Sequence, residues 1–194
     1  MDSDSDPKNP KLERLLLIHG YQKWIQDHVN KKWQPYQISF MFHSLPGKTM
    51  WSLTRQMKSE IERVYARLVT RFVRNPRSRA QFDRLPRMIL FPDLPVYKRE
   101  RNKSIEDVSI NNGLHYGGIA LTPPFSRFTS TLDAHFDQDQ DKYVNKKLER
   151  IHVTPITWNP GYVTEYCAKS FKRGRVSDED IIILPKTISE LPSK

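Results

Sequence analysis

The chain has 194 residues, and its 32 Lys and Arg against 22 Asp and Glu give a formal charge of +10. This charge favours a polyanionic partner, of which nucleic acid is the first candidate. The alternative is a basic soluble protein that has no such partner. The single cysteine, Cys167, excludes an intramolecular disulfide and a zinc site built from cysteines, and it fits a reducing compartment. No apolar run approaches the ~20 residues that span a bilayer, and the acidic, polar start is not a signal peptide, so we expect a soluble, cytoplasmic protein with no membrane partner.

The first part of the chain predicts a helix, a strand and a long helix. Residues 11–31 carry apolar side chains at helical spacing, which indicates one amphipathic helix or two short ones joined near Gly20. Alternating side chains in "YQISFMFHSLPG", followed by Pro-Gly, are typical of a strand. Residues 49–74 have the clearest helical periodicity, and the "NP" that follows predicts the end of this helix.

The middle of the chain predicts two strands and a helix. The proline-bounded run "LPRMILFPDLPVYK" indicates a short strand and a turn, and the polar residues 98–112 a loop or hairpin. "GLHYGGIALTP" is typical of a buried strand, and its two adjacent glycines indicate that something approaches the backbone closely. Residues 126–148 predict a second helix, with Ser126 as the candidate cap.

The last part predicts a strand in "RIHVTPITW", a helix in "PGYVTEYCAKSFKRG" that ends at Gly174, and a short closing strand in "DIIILP". After the N-terminal helix the order is strand, helix, strand, strand, helix, strand, helix. This order is typical of an α+β fold of the split βαβ, ferredoxin-like type. We therefore expect an antiparallel sheet with helices packed on one face, and the other face free for a ligand.

The domain organisation follows from the same pattern, because no Gly/Ser-rich linker or internal repeat divides the chain. We expect a disordered tail at 1–10, an N-terminal helical extension at 11–33, one domain at 34–185 and a flexible tail at 186–194.

Two groups of residues are candidates for chemistry. His115 and Gly117 share one face of their strand, because strand side chains alternate; a histidine there is a candidate metal ligand, although a lone strand histidine is more often structural. Tyr162, Tyr166 and Lys169 share one helix face. A tyrosine near a metal ion can attack a phosphodiester, while Lys169 neutralises developing charge; the simpler alternative is that both tyrosines pack into the core.

Three segments, "ISFMFHSLPG", "NNGLHYGGIAL" and "YVTEYCAKSFKRGR", come in the order of the three motifs of HUH endonucleases. Over residues 34–185 the chain resembles the small replication initiators of this family. The resemblance implies that a sheet face binds single-stranded or hairpin DNA and that two histidines, separated by one hydrophobic residue, hold Mg²⁺ or Mn²⁺. It also implies that Tyr166 attacks the scissile phosphate to form a 5′-phosphotyrosine, with Lys169 as its helical companion and Tyr162 as the second-ranked tyrosine.

The chain departs from this family pattern at one metal ligand, because it has His115-Tyr116-Gly117 and glycine has no side chain. Asp107 or His43 is a candidate to fill the place, although a solvated loop acid and a strand-end polar residue are the simpler interpretations. The metal otherwise binds weakly with water in the vacant position, or the protein has lost nicking and kept DNA binding.

Basic residues form three candidate DNA-binding clusters, whose binding would weaken with salt, although cations at helix C-termini also complement the dipole. Exposed Tyr116 or Trp158 are candidates for base stacking, with core packing as the alternative for Trp158. The clusters are Arg71, Arg74, Arg77 and Arg79; Lys98, Arg99 and Arg101 in "YKRERNK"; and Lys169, Lys172, Arg173 and Arg175.

The resemblance predicts single-stranded DNA binding with site-specific nicking and strand transfer, as in replication initiators or mobile-element proteins. Gly117 favours a catalytically impaired DNA-binding regulator as the alternative. An RNA-binding module is a second alternative, although "HYGGIAL" lacks the alternating aromatics of that class. No GxxxxGK[ST] segment is present, so any unwinding requires a separate helicase.

Overall fold

Five antiparallel strands form one sheet in the computed structural model, which describes residues 9–47, 49–94 and 110–186. In chain order they are β1 (Gln34–Phe42), β2 (Arg87–Asp93), β3 (His115–Thr122), β4 (Leu148–Pro155) and β5 (Ile182–Leu184). Their order across the sheet is β4–β1–β3–β2–β5. Because β3 lies antiparallel between β1 and β2, these two run parallel to each other, as the split βαβ pattern requires. The predicted α+β, ferredoxin-like class is confirmed.

Five helices surround this sheet in the described residues. They are α1 (Pro10–Asn30), α2 (Met50–Phe72), α3 (Leu132–Asp139), α4 (Pro160–Cys167) and α5 (Lys169–Lys172). The N-terminal helix is continuous through Gly20 rather than divided into two. Each of these helices is too short or too polar to cross a bilayer.

The main core lies between one face of the sheet and helices α2 and α3. Thr49 caps α2 by accepting a hydrogen bond from the Ser52 amide at 3.2 Å. The apolar stripe of α2 then meets the strand side chains Ile38, Phe40 and Phe42, all of them buried. Each such side chain contributes about 1.5–3 kcal/mol when it leaves water, and the larger of the two clusters of buried residues lies on this face. The buried stripe is Leu53, Met57, Ile61, Val64, Leu68 and Phe72.

The opposite face is divided into a covered half and an open half. Helices α1, α4 and α5 pack over β2 and β3 and bury Phe91 and Ile119. Over β1 and β4 the face is open, with Ser39 half-buried and His152 and Thr154 exposed. The expectation that this whole face is free was therefore wrong for β2 and β3, whose apolar side chains require a cover.

Two predicted helices are shorter than the sequence indicated. Helix α3 covers only part of 126–148, because Ser126 accepts a hydrogen bond from the Phe128 amide in a local turn instead of capping a helix. Asn145 then accepts from the amides of Lys147 and Leu148 and leads the chain into β4. The tyrosine helix is interrupted at Ala168, so that α5 forms a separate turn.

Glu60 ties α2 to the turn before β4, since its buried carboxylate accepts hydrogen bonds from Arg63 and Asn145, each at 2.8 Å. Burial alone would raise the pKa of Glu60, but these hydrogen bonds outweigh it and lower the pKa below its ordinary value. Its stabilising contribution is therefore present above the unfolded-state pKa and is lost as the pH falls through the lower, folded-state pKa.

We expect Glu60→Gln to reduce the free energy of unfolding at neutral pH by about 1.5–3 kcal/mol, the range for a hydrogen bond to a charged group. Because glutamine does not titrate, the difference between the two proteins should shrink as the pH is lowered into the acid range. Urea unfolding as a function of pH measures this. The control is Glu62→Gln on the same helix, which removes a half-exposed carboxylate whose surface ion pair with Lys186 contributes less than about 1 kcal/mol. A difference that is constant with pH would contradict the role of the carboxylate.

Candidate active site

His115 and Asp93 lie directly opposite one another at the ends of β3 and β2. Asp93 is only 5% exposed, and its Oδ2 lies 3.5 Å from His115 Nε2. The other ring nitrogen, Nδ1, lies 3.2 Å from the carbonyl oxygen of Gly113 and can donate to it. The strand register therefore fixes both the position and the orientation of the imidazole.

The same carboxylate is held from the other side by α5. Lys169 Nζ lies 2.5 Å from Asp93 Oδ2, and Ser170 Oγ donates to Asp93 Oδ1 at 2.7 Å. Ser170 Oγ also accepts a hydrogen bond from the Leu94 amide at 3.1 Å, which fixes the serine. Asp93 thus joins His115 on the sheet to Lys169 on the helix, and we call these three residues the Asp93 bridge.

Tyr166 adjoins this bridge through Lys169, whose Nζ lies 4.5 Å from the centre of the tyrosine ring. Tyr166 is 53% exposed and Tyr162 is 57% exposed, so the helix does not use either ring as core packing. Helix α4 packs on β2 and β3 on the same side of the sheet as His115 and Gly117. The fold therefore brings residues 115 and 166 to one region, connected through Asp93 and Lys169.

An open cleft of about 530 Å³ lies beside Tyr166, between α1 and the α4–α5 segment. We call it the α1–α4 cleft. Five of its eight lining side chains are cationic and one is a carboxylate, so it favours an anionic ligand. The lining residues are Lys11, Arg14, Tyr162, Glu165, Tyr166, Lys169, Lys172 and Arg173.

Cys167, next to Tyr166, is not a candidate nucleophile. Its side chain is buried against α1 and the sheet, and burial raises the pKa of the thiol to about 12. A thiol is a nucleophile only when it is deprotonated, so Cys167 is a packing residue.

The resemblance implies a divalent cation at His115, but the set of ligands around this residue is incomplete. Within residues 9–47, 49–94 and 110–186, no three His, Cys, Asp or Glu side chains are grouped to hold a metal. Asp93 Oδ2, the oxygen nearest His115, already carries the ammonium of Lys169. The described residues do not fit the implied ligand set, and Mg²⁺ or Mn²⁺ stays a prediction.

Gly117 has room for the missing ligand. A Cβ placed on it would lie 3.7 Å from Ser39 Oγ and 3.9 Å from the Ile38 carbonyl oxygen, both ordinary contact distances. We expect Gly117→His to bind Mn²⁺ more tightly than the wild-type protein does, because a second imidazole would stand beside His115.

The measurement is the rise in melting temperature with added Mn²⁺, which reports binding to the folded state. At ~100 times the dissociation constant the variant should gain ~2.7 kcal/mol, or roughly 5–10 °C for a chain of this size. Gly117→Ala is the matched control and should respond as the wild-type protein does. An equal response in the two variants would show that position 117 does not face a metal site.

The other predicted DNA-binding residues fall in different places. Arg71 lies in the last turn of α2, on the opposite side of the sheet from Tyr166, and Arg74, Arg77 and Arg79 follow the helix as exposed residues. Lys172 and Arg173 line the α1–α4 cleft, whereas Arg175 contacts the Leu94 carbonyl oxygen at 3.5 Å. Lys98, Arg99, Arg101 and Asp107 lie outside the described residues.

Two further sequence-based expectations are resolved by the strand geometry. Tyr116 is 0% exposed and its hydroxyl donates to the Asp180 carbonyl oxygen at 3.0 Å, so the expectation of an exposed stacking residue was wrong. It points to the α2 side because His115 and Gly117 take the other. His43, exposed at the end of β1, joins no metal-binding group in the described part of the chain.

The sequence did not indicate Asp93, Ser170, Lys11 or Arg14 as site residues. An acid at the end of an apolar strand is the available signal for Asp93, but the strand order is needed to place it opposite His115. Lys11 and Arg14 lie in the predicted extension, far along the chain from the tyrosines.

The fold and the site define an α+β protein with a ferredoxin-like sheet and a basic, tyrosine-containing cleft. No protein-family model, no curated protein and no solved structure matches the chain.

Proposed function

We propose that this protein binds single-stranded DNA and nicks it through Tyr166, as the resemblance to HUH endonucleases implies. The observation that supports this most is the exposed phenol of Tyr166, which stands beside the Lys169 ammonium at the mouth of a basic cleft. A strand that enters the cleft would bring a phosphodiester against both groups.

In the proposed reaction the Tyr166 oxygen attacks the scissile phosphorus. A bond forms between the phenolic oxygen and phosphorus, and the bond from phosphorus to the 3′ oxygen breaks. The phenol gives its proton to solvent, the 3′ oxygen takes one up, and the 5′ phosphate stays on the tyrosine. Lys169, positioned by Asp93, supplies positive charge where the phosphate becomes more negative.

Strand transfer is the reverse of this step, with a 3′-hydroxyl as the attacking group. This sequence contains no GxxxxGK[ST] motif for binding a nucleoside triphosphate. We propose that a separate helicase opens any duplex that contains the target.

The second candidate function is that of a DNA-binding regulator without nicking activity. It is favoured by Gly117, which offers no side chain at the place of a metal ligand, and by the ammonium that already occupies Asp93. The basic cleft serves binding equally well in this case. An RNA-binding module receives less support, because the open half of the sheet presents Ser39, His152 and Thr154 rather than aromatic rings.

The experiment is incubation of the protein with single-stranded oligonucleotides labelled at the 3′ end, with and without Mn²⁺, followed by denaturing electrophoresis. A nickase gives a labelled, slower-migrating protein band, because the phosphotyrosine link survives denaturation. A protein that binds the oligonucleotides but yields no such band under either condition would be the regulator instead. Absence of binding would overturn both candidates.

A further inference from the structure

The α1–α4 cleft holds more positive charge than its neighbouring carboxylates neutralise. Lys172 pairs with Glu165, and Lys169 pairs with Asp93. Three other cations that line the cleft have no carboxylate within ion-pair distance in the described part of the chain. They are Lys11, Arg14 and Arg173. This excess is independent of the Asp93 bridge, and α1 supplies two of the three charges.

The position of these two cations on α1 is unfavourable without a ligand. Lys11 and Arg14 lie near the helix N-terminus, where the macrodipole favours negative charge. Arg14 packs against the end of α5: a Cβ on Gly174 would lie 3.2 Å from its Cζ. Its Nε is buried and has no hydrogen-bond partner among the described residues. An anion in the cleft would neutralise both charges.

Tyr162 lines the same cleft, and its exposed ring contacts a second exposed ring, that of Trp158. Trp158 and Tyr162 have their ring centres 5.1 Å apart at an angle of 41°, and Trp158 is 65% exposed. The N-cap of α4 holds them together, because Asn159 Oδ1 accepts a hydrogen bond from the Tyr162 amide at 3.0 Å. Paired exposed rings next to a cationic groove are the arrangement on which bases of a single strand stack.

We infer that α1 and α4 together bind one nucleotide of the single strand, next to the phosphate at Tyr166. Its base stacks on Trp158 and Tyr162, and the two phosphates that flank it contact Lys11, Arg14 and Arg173. The inference rests on the proposed function for the identity of the ligand. It makes the N-terminal helix a part of the DNA-binding surface rather than an extension to it.

The test is the affinity for a fluorescent oligothymidylate, measured by anisotropy over a range of salt concentrations. Each lost phosphate contact makes the negative slope of log K against log salt shallower by ~0.7, which corresponds to an affinity about fivefold lower at ~0.1 M salt. We therefore expect Lys11→Gln to bind about fivefold more weakly and the double variant Lys11→Gln/Arg14→Gln about 25-fold more weakly. Trp158→Ala should lose about fivefold or more at every salt concentration, with an unchanged slope.

Lys23→Gln is the matched control, since it removes the same charge from the same helix. It is exposed and lies nine residues from Arg14, about two and a half turns away and thus on the opposite side of α1. Its affinity should change by less than about twofold, because a distant exposed charge is screened by salt. Lys11→Gln is the more conservative probe of the cleft, because Lys11 is exposed and its replacement leaves the core intact.

The outcomes separate this inference from the proposed function. If the Lys11 and Lys23 variants weaken binding equally, or if neither does, the α1 subsite is wrong, whereas an adduct on Tyr166 would still stand. If the Lys11 variant binds weakly and the wild-type protein forms no adduct, the subsite on α1 is supported and the proposed nicking activity is wrong. If the wild-type protein does not bind the oligonucleotide at all, both are wrong.

Discussion

Tyr166→Phe is expected to abolish the covalent protein–DNA adduct, with a decrease of at least about 1,000-fold, because removal of a nucleophile leaves no group to replace it in the same step. The variant lacks one oxygen atom on a ring that is half exposed. Its stability should therefore lie within about 0.5 kcal/mol of the wild-type value. DNA affinity should be nearly unchanged, since the cationic residues of the cleft are retained.

Tyr162→Phe is the matched control for this prediction. Tyr162 is on the same helix, lines the same cleft and is equally exposed, but its ring contacts Trp158 rather than Lys169. We expect this variant to form the adduct at close to the wild-type rate, because phenylalanine still stacks. A Tyr166→Phe protein that forms the adduct while Tyr162→Phe does not would reverse the assignment of the two tyrosines.

Gly118→Ala is expected to have the largest effect on stability. A Cβ on Gly118 would lie 2.0 Å from the Ile89 carbonyl oxygen and 2.7 Å from the Leu90 Cα, and both are backbone atoms of β2. The strand cannot move away without breaking its pairing with β3 at the centre of the sheet. We expect a loss of about 4 kcal/mol or more, in the tail of single substitutions, out of a total of ~5–15 kcal/mol.

The measurement is thermal unfolding of Gly118→Ala beside Gly117→Ala. The second variant adds the same methyl group one residue earlier, where its nearest neighbours are at ordinary contact distance. The melting temperature should fall by roughly 10 °C or more for position 118 and change little for position 117. Similar melting temperatures would mean that the close approach of β2 to β3 relaxes at little cost.

The sheet was predictable because the sequence patterns that determine it lie within single segments of the chain. Alternation in "ISFMF", the helical stripe of α2 and the adjacent glycines of β3 each determine a burial pattern, and the order of elements leaves few topologies. The sequence also pointed to close approach at the glycines, and the structure shows that Gly118 alone requires it.

The site was predictable only in part, because its contacts join distant segments. The Asp93–Lys169 ion pair depends on β2 and α5, and His115 opposes Asp93 only through the strand register. Helix α1 carries several exposed leucines as well as the cleft-facing cations, so its pattern does not show which side packs on the sheet. Both ends of α3 were misplaced, because local turns at Ser126 and Asn145 compete with the helix.

The most direct test of the central claim is mass spectrometry of the protein after reaction with a single-stranded oligonucleotide and digestion with nuclease and trypsin. Cleavage after Arg150 and Lys169 releases a peptide that contains both Tyr162 and Tyr166, and fragmentation of this peptide distinguishes them. The account predicts a nucleotide phosphate attached to Tyr166. Unmodified peptide under conditions of full DNA binding, or the phosphate on any other residue, would contradict it.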